Sequence, residues 1–180
     1  MDSLRGQLLV AAPNLVDPNF RRTVVLIAEH DEEGALGLVL NRRLELAVAD
    51  VVPELDPLAP NGRVHAGGPV RPSGALILAE FEEPGAAGLL VVGSVGLPAA
   101  DMEVDDLVGA ASRARVFAGH GGWGPGQLDT ELEADGWIVL PAEPDDVFTA
   151  DSEGLWATVL ERQGGEYALL ARMPADPRMN

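Results

Sequence analysis

The chain contains no cysteine and no lysine, and each absence removes a class of chemistry. Without cysteine there is no disulfide, no thiol nucleophile and no cysteine-ligated metal. All 12 basic residues are arginine, so Schiff-base chemistry on lysine and the lysine-dependent phosphate-binding loop are also excluded. The remaining composition, 180 residues of which 47% are apolar, is typical of one domain with a single core.

Positive charge is scarce, because 29 acidic residues leave a formal net charge of −17. Such a charge repels nucleic-acid phosphates and anionic membranes, which makes direct DNA binding doubtful. The amino end lacks the pattern of a signal peptide, and the longest uncharged stretch, 85–100, is shorter than the roughly 20 residues of a membrane span. We therefore expect a cytoplasmic protein without a membrane partner.

Short β-like runs recur along the chain, and helical patterns are interposed without a regular rhythm. Strands are predicted at residues 7–11, 23–28, 35–40, 75–79, 89–92, 115–118, 137–140 and 167–171. Helices are predicted at residues 46–52, 102–111, 125–134 and 153–162. The pattern favours an α+β fold with a mixed, largely antiparallel sheet. A single domain is predicted over 1–172, followed by a flexible tail over 173–180.

The strands predicted at 23–28 and 35–40 flank an acidic turn and favour a hairpin. Antiparallel pairing would place Arg21 and Arg22 beside Asn41 and Arg42, with Arg43 adjacent. Asn41 and Arg42 are therefore candidate binding residues. The cluster is either a local anion-binding patch on an acidic protein or a pair of solvated strand ends.

No catalytic residue, metal set or cofactor motif can be assigned from the sequence. His30, His65 and His120 show no metal-ligand spacing, and ordinary loop histidines are the expected interpretation. Ser94 stands in Gly-Ser-Val-Gly, which lacks the spacing of a nucleophile elbow. His30 is retained as a candidate binding residue because it lies in the acidic turn. An enzyme is therefore the less favoured interpretation.

The glycine-rich segment 119–126 is the most distinctive local feature, because it runs from a predicted strand into a predicted helix. Its backbone amides could face a ligand, and Gln127 and Glu131 are four residues apart on the helix face beside it. Trp123, Gln127 and Glu131 are either the wall of a small-molecule or peptide pocket or, for Trp123, core filling at a tight turn. Gly67 and Gly68 precede Pro69, mark a second special turn and are retained as candidate binding residues.

Taken together, these segments resemble the YqgE/AlgH-like family of bacterial proteins. The matching pieces occur in family order at 6–13 (GQLLVAAP), 29–30 (EH), 34–42 (GALGLVLNR), 67–70 (GGPV), 119–128 (GHGGWGPGQL) and 136–137 (GW). The sequence departs from the family pattern at Arg43, where the family has proline after Asn-Arg, and at His120, where it usually has an aromatic residue.

The resemblance implies an α+β domain in which a bifurcated sheet closes partly into a barrel and is surrounded by helices. Family members are labelled transcriptional regulators, a label that describes a phenotype and supplies no DNA-binding motif. No catalytic or metal residues follow from it. The sequence therefore favours a regulator that acts through an unidentified protein or small molecule. The alternative is a small-molecule-binding enzyme that uses the loop and helix from Gly119 to Glu131.

Overall fold

The computed structural model describes residues 2–174, and within them it contains ten strands and six short helices. The strands are β1 (Gln7–Ala11), β2 (Val24–Asp31), β3 (Gly34–Val39), β4 (Arg43–Ala47), β5 (Arg63–Ala66), β6 (Val70–Phe81), β7 (Leu89–Val92), β8 (Val95–Leu97), β9 (Ala111–Trp123) and β10 (Trp137–Pro141). The helices are α1 (Val48–Val51), α2 (Val104–Ala110), α3 (Gln127–Glu133), α4 (Pro144–Phe148), α5 (Leu155–Gln163) and α6 (Glu166–Leu170). Two short 3₁₀ helices lie at Pro53–Leu55 and Pro84–Ala86.

The sheet branches at β9, its longest strand. One edge of β9 pairs with β6, whereas the other edge is shared between β5 and β3. The β5 pairing is parallel and lies at Phe117 and Ala118, and the β3 pairing is antiparallel and lies at 121–123. All other pairings among residues 2–174 are antiparallel. The expected α+β fold with a mixed, largely antiparallel and bifurcated sheet is therefore confirmed.

The hydrogen-bonded path of strands is open and does not close into a barrel in the described part of the chain. It runs in the order β10-β1-β2-β3-β9-β6-β8-β7, and β4 joins through β5. The sheet is nevertheless curved, and the curvature brings Val91 on β7 into the same core as Leu8 and Val10 on β1. The partial closure into a barrel that the resemblance implies is therefore not found among residues 2–174, where the sheet is curved and open.

Alternation along the strands divides the core between the two faces of the sheet. On β1, Leu8 and Val10 face a core that contains Trp156 of α5, whereas Leu9 and Ala11 face the opposite core with Trp137. This is the period of two that a strand with both faces covered requires. Trp137 and Trp156 anchor the cores on the two faces, since they are only 5% and 2% exposed.

Several predicted elements need correction. The strands predicted at 75–79 and 115–118 are longer, as β6 and β9. The strand predicted at 167–171 is helix α6, because it follows two glycines and packs Tyr167 and Leu170, three residues apart, against the core. The helix predicted at 46–52 is reduced to Val48–Val51, since residues up to 47 belong to β4. The helix predicted to begin at Pro125 begins at Gln127. The predicted acidic turn is only two residues long, because β2 continues to Asp31 and β3 begins at Gly34.

The predicted tail lies outside the described residues except for Met173 and Pro174. The carbonyl of Met173 accepts a hydrogen bond from Arg22 Nη1 over 2.9 Å. No helix within residues 2–174 is long and apolar enough to cross a membrane.

Candidate functional site

The residues predicted around the glycine-rich segment come together, and they bind one another. The indole nitrogens of Trp123 and Trp137 both donate to Oε1 of Glu131, over 3.2 and 3.0 Å. Gln127 donates to the other oxygen of Glu131 and accepts from the backbone N–H of Gly124. The predicted common face of Gln127 and Glu131 is therefore confirmed.

Trp123 belongs to the core, as one of the two interpretations expected. It is 5% exposed, and the ring of Phe20 stacks on it at 5.7 Å between centroids. The backbone amide of Gly124, a candidate ligand contact, is already hydrogen-bonded to Gln127. The shallow spaces beside this cluster are lined by carboxylates, among them Asp31 and Glu33. A binding role for Trp123, Gln127 and Glu131 stays a prediction.

His30, His65 and His120 all lie on strands, so the expectation of loop histidines was wrong. The sequence lacked a signal here because β5 is only four residues long and the hairpin turn is shorter than predicted. Nδ1 of His30 accepts a hydrogen bond from the backbone N–H of Leu4 over 2.9 Å and so fixes the segment that precedes β1. A ligand-binding role for His30 stays a prediction.

The arginines at the base of the β2–β3 hairpin are held by the chain itself. Asn41 accepts from the N–H of Val24 and donates to the carbonyl of Arg22, which adds one side-chain rung to the β2–β3 ladder. Arg42 donates to the carbonyls of Pro18, Asn19 and Arg21 and so fastens the preceding loop. The predicted juxtaposition is confirmed, and a ligand for Asn41 and Arg42 stays a prediction.

Gly67 and Gly68 lie where two backbones meet at the branch point of the sheet. A Cβ atom on Gly67 would lie 2.3 Å from the carbonyl oxygen of Gly119, and one on Gly68 would lie 2.2 Å from the carbonyl carbon of His120. Gly68 also has a φ of +150°, which side chains rarely adopt. The two glycines allow β5 and β6 to approach β9 on opposite edges, and a direct ligand contact for them stays a prediction.

A cleft that the sequence did not reveal lies beside this branch point. It has a volume of about 180 Å³ and is lined by Arg63, Arg113 and Arg115, with Leu58, Pro60 and Phe148 among the apolar residues. The register explains the cluster. His65 is paired with Phe117 in the parallel ladder, so Arg63 and Arg115, each two residues earlier, project from the same face. Arg43 joins them because it is paired with His65 across the β4–β5 ladder.

Arg113 is neutralised within the cleft. Its guanidinium binds Glu80 on β6 through two hydrogen bonds and Asp145 on α4 at 2.7 Å, and it lies 4.3 Å from the ring centre of Phe148. These carboxylates raise the pKa of Arg113 against the opposing effect of its desolvation. Arg113 therefore joins α4 to the sheet and contributes little net positive charge.

Arg115 differs from Arg113 because its hydrogen-bond partners among residues 2–174 are carbonyl groups. Its Nη1 donates to the carbonyls of Val147 and Thr149, over 2.9 and 3.0 Å, and so holds the segment that follows α4. Desolvation by burial, together with the positive charges of Arg43 and Arg113, lowers the pKa of Arg115 to about 10. The cleft therefore contains a partly buried cation to which no carboxylate among residues 2–174 is bonded.

Behind the cleft, His65 and Ser152 form a buried pair that the sequence analysis missed. Their Nε2 and Oγ atoms lie 2.7 Å apart, and the residues are 1% and 4% exposed. Burial, followed by the charges of Arg115 and Arg43, lowers the pKa of His65 to about 4, so the ring is neutral near pH 7. Nδ1 lies 3.2 Å from the carbonyl of Arg63, which can only accept. Nδ1 therefore carries the proton, and the Ser152 hydroxyl donates to Nε2.

This orientation is that of a serine beside its general base. However, a histidine whose pKa lies near 4 takes up a proton poorly at neutral pH, and neither group is open to a substrate. We interpret the pair as structural. No local pattern could have found it, because the two residues are 87 positions apart. Within the described part of the chain, no group of three histidine, aspartate or glutamate side chains could hold a metal ion.

Comparisons with known proteins agree with this fold. The sequence model of the AlgH-like family (DUF179) matches residues 8–168. The chain belongs to the AlgH-like family. A UPF0301 protein of Streptomyces coelicolor is 44% identical over 189 residues, which cover 100% of this chain and 97% of that protein. A UPF0301 protein of Mycobacteroides abscessus is 45% identical over 181 residues, which cover 97% of this chain and 87% of that protein.

Two solved structures extend the agreement to three dimensions. The AlgH-like chain superposes on a crystal structure of a Corynebacterium diphtheriae protein with a TM-score of 0.86 and 29% identity, covering 95% of this chain and 92% of the other. It is also similar to the solution structure of the AlgH protein of Pseudomonas aeruginosa, with a TM-score of 0.71 and 29% identity, covering 96% and 95%. These names describe a family and a fold and state no activity.

Proposed function

We propose that this AlgH-like chain is a cytoplasmic regulatory domain that acts by binding a protein or small-molecule partner, without contacting DNA itself. The observation that carries the proposal is the placement of its arginines. Arg22 and Arg42 donate to main-chain carbonyls, and Arg113 and Arg162 bind carboxylates. Arg63 and Arg115 line a small cleft.

A protein that reads DNA needs positive charge along one exposed face and an element that fits a groove. The longest helix among residues 2–174 is α5, with nine residues, and its buried face covers the core through Leu155, Trp156 and Val159. The one basic residue of its last turn, Arg162, binds both carboxylate oxygens of Asp146. This helix therefore offers no cation for a phosphate, and the net charge of −17 opposes the approach to DNA.

A small-molecule partner is supported by the cleft, which joins apolar walls to arginine side chains. Its volume of about 180 Å³ lies below the roughly 300 Å³ at which pockets for drug-sized ligands begin. The cleft therefore suits a small metabolite better than a nucleotide or a peptide. The alternative enzyme built on Gly119 to Glu131 gains no support from the geometry, because Trp123, Gln127 and Glu131 are engaged with one another.

The test is a fluorescence-anisotropy titration of the full chain with random duplex DNA over a series of salt concentrations. We expect no binding even at low salt. Affinity that falls steeply with salt, by roughly 0.9 logarithmic units per phosphate neutralised, would overturn the proposal. In parallel, native mass spectrometry of the gently purified protein should reveal a small bound species or a protein partner. A bare monomer that also binds duplex DNA would contradict the proposal on both counts.

A further inference from the structure

We propose that the cleft between β5, β9 and α4 binds a small organic oxyanion, a carboxylate or a phosphate ester, through the guanidinium groups of Arg63 and Arg115. This inference deepens the proposed function and rests on it, because it names the chemical class of the small-molecule partner. It is argued from the register of the strands, the partners of each arginine and the size of the cleft.

The two arginines have donor groups to spare. Arg115 uses only Nη1 in its hydrogen bonds, and no hydrogen bond of its Nε or Nη2 is found within residues 2–174. The side chain of Arg63, which is exposed at the rim, makes no hydrogen bond or ion pair with any described residue. Since an arginine offers five N–H donors in a planar fork, the two side chains can donate hydrogen bonds to two oxygens of a carboxylate or a phosphate.

The positive charge of the cleft is not balanced by the protein. Glu80 and Asp145 are bonded to Arg113 and offset its charge, whereas the positive charge of Arg43, which also acts on Arg115, is not offset by an ion pair with any of residues 2–174. Holding cations together in a partly buried place costs free energy unless an anion joins them. The 29 acidic residues of the chain could have supplied that anion, and none of those described does so at Arg115.

The apolar walls restrict which oxyanion fits best. Leu58, Pro60 and Phe148 contribute the apolar lining, and the ring of Phe148 lies against the guanidinium of Arg113. A ligand with a short carbon skeleton and a charged end would bury the skeleton against these side chains and leave its oxygens with the arginines. A free inorganic ion would use the charges alone and should bind more weakly.

Binding in the cleft would also be transmitted to the segment behind it. Arg115 holds the carbonyls of Val147 and Thr149, and the same segment delivers Ser152 to the buried ring of His65. An anion that binds Arg115 therefore changes the environment of the residues that cover His65. This gives the experiment a local readout besides the affinity.

The experiment is a titration of the full ¹⁵N-labelled chain with inorganic phosphate, phosphoenolpyruvate and succinate, at constant ionic strength kept with chloride. We expect saturable shifts of the backbone amides at 113–115 and 147–152, with phosphoenolpyruvate or succinate binding more tightly than inorganic phosphate. Because phosphoenolpyruvate carries both groups, binding of succinate indicates a carboxylate ligand, and binding of phosphoenolpyruvate without binding of succinate indicates a phosphate ester. No saturable shift with any of them, up to tens of millimolar, would overturn the proposal.

The variant R63Q is the main test, because Arg63 is exposed and its loss should leave the fold intact. We expect R63Q to weaken binding at least about fivefold, and the control R5Q, which removes the same charge from an exposed position outside the cleft, to weaken it less than about twofold. Equal affinities in R63Q and R5Q would mean that the shifts report net charge only, and the proposal would fall.

If anions do not bind and duplex DNA does not bind either, only the ligand class is wrong. If duplex DNA binds, the proposed function itself fails.

Discussion

The hydroxyl of Ser152 donates a hydrogen bond to Nε2 of His65, over 2.7 Å, although 87 residues separate the two in the chain. The pair ties the segment after α4 to the short strand β5, immediately behind the arginine-lined cleft. Because the ring is buried beside Arg43 and Arg115, its neutral state is part of what stabilises the fold.

The neutral state of His65 predicts a pH dependence of stability. Its folded pKa of about 4 lies below the unfolded value of about 6.5, so the unfolded chain takes up the proton first. Stability is therefore lost as pH falls from about 6.5 towards 4. Between pH 7 and pH 5 the free energy of unfolding of the wild type should fall by about 2 kcal/mol more than that of H65Q.

Urea denaturation of both proteins at each pH measures this difference, and NMR supplies a direct check on the ring. The Cε1–H signal of His65 should not titrate above pH 5. A midpoint near 6.5 would show that the ring is accessible and ionised, contrary to the burial described here.

Glu131 should be the most sensitive residue of the glycine-rich region, because two indole N–H groups share one of its oxygens. E131A leaves both donors unpaired near the core and should cost about 3 kcal/mol. E131Q keeps an acceptor oxygen and should cost about 1 kcal/mol. Chemical denaturation followed by tryptophan fluorescence measures both.

The matched control is E133A on the same helix, where the side chain of the exposed Glu133 has no hydrogen-bond or ion-pair partner among residues 2–174. It should leave the stability almost unchanged. If E131A and E133A proved equally stable, the shared acceptor would contribute nothing.

Alanine should have opposite effects on stability at Gly68, which lies at the branch point, and at Gly109, which lies on α2. G68A places a Cβ atom 2.2 Å from the carbonyl carbon of His120, which is backbone and cannot move aside. It should destabilise by more than about 4 kcal/mol or prevent folding. G109A, in the exposed face of α2 with no atom within 4 Å of the new Cβ, should instead stabilise by up to about 1 kcal/mol.

Thermal unfolding by circular dichroism compares the two glycine variants. Equal melting temperatures for G68A and G109A would refute the close approach of β5 and β9 at this point.

Substitution of Asn41 should lower the stability through the loss of a backbone hydrogen bond and not through a change of charge. N41A leaves the N–H of the buried Val24 without its 3.0 Å acceptor, which should cost about 1–3 kcal/mol. Hydrogen exchange should show faster exchange of the Val24 amide in particular. N14A, at an exposed asparagine outside the sheet, is the control, and equal exchange in both variants would contradict the side-chain rung.

Part of the sheet could be predicted because β1, β2 and β3 contain apolar runs bounded by breakers. The prediction 7–11 matches β1, and β2 and β3 were predicted to within a few residues at each end. Strands β4, β5 and β8 were missed because they are short, and in β4 and β5 arginine and histidine also mask any alternation.

The candidate cleft could not be predicted, for a different reason. Arg63 and Arg115 become neighbours only through the parallel pairing of β5 with β9, which no local pattern announces. His65 and Ser152 likewise become neighbours only in the folded chain, because 87 residues separate them in the sequence. By contrast, Gln127 and Glu131 are one helical turn apart, and their contact follows from spacing alone.

The central place of β9 has a consequence for how the chain is made. Strands β1 to β3 can pair as soon as they leave the ribosome, but β3 and β5 lack their common neighbour until residue 123 has emerged. β1 remains without its second partner for longer still, because that partner is β10, at Trp137–Pro141. Open strand edges invite pairing with a neighbouring nascent chain. The strong negative charge of the chain makes such neighbours repel one another during that wait.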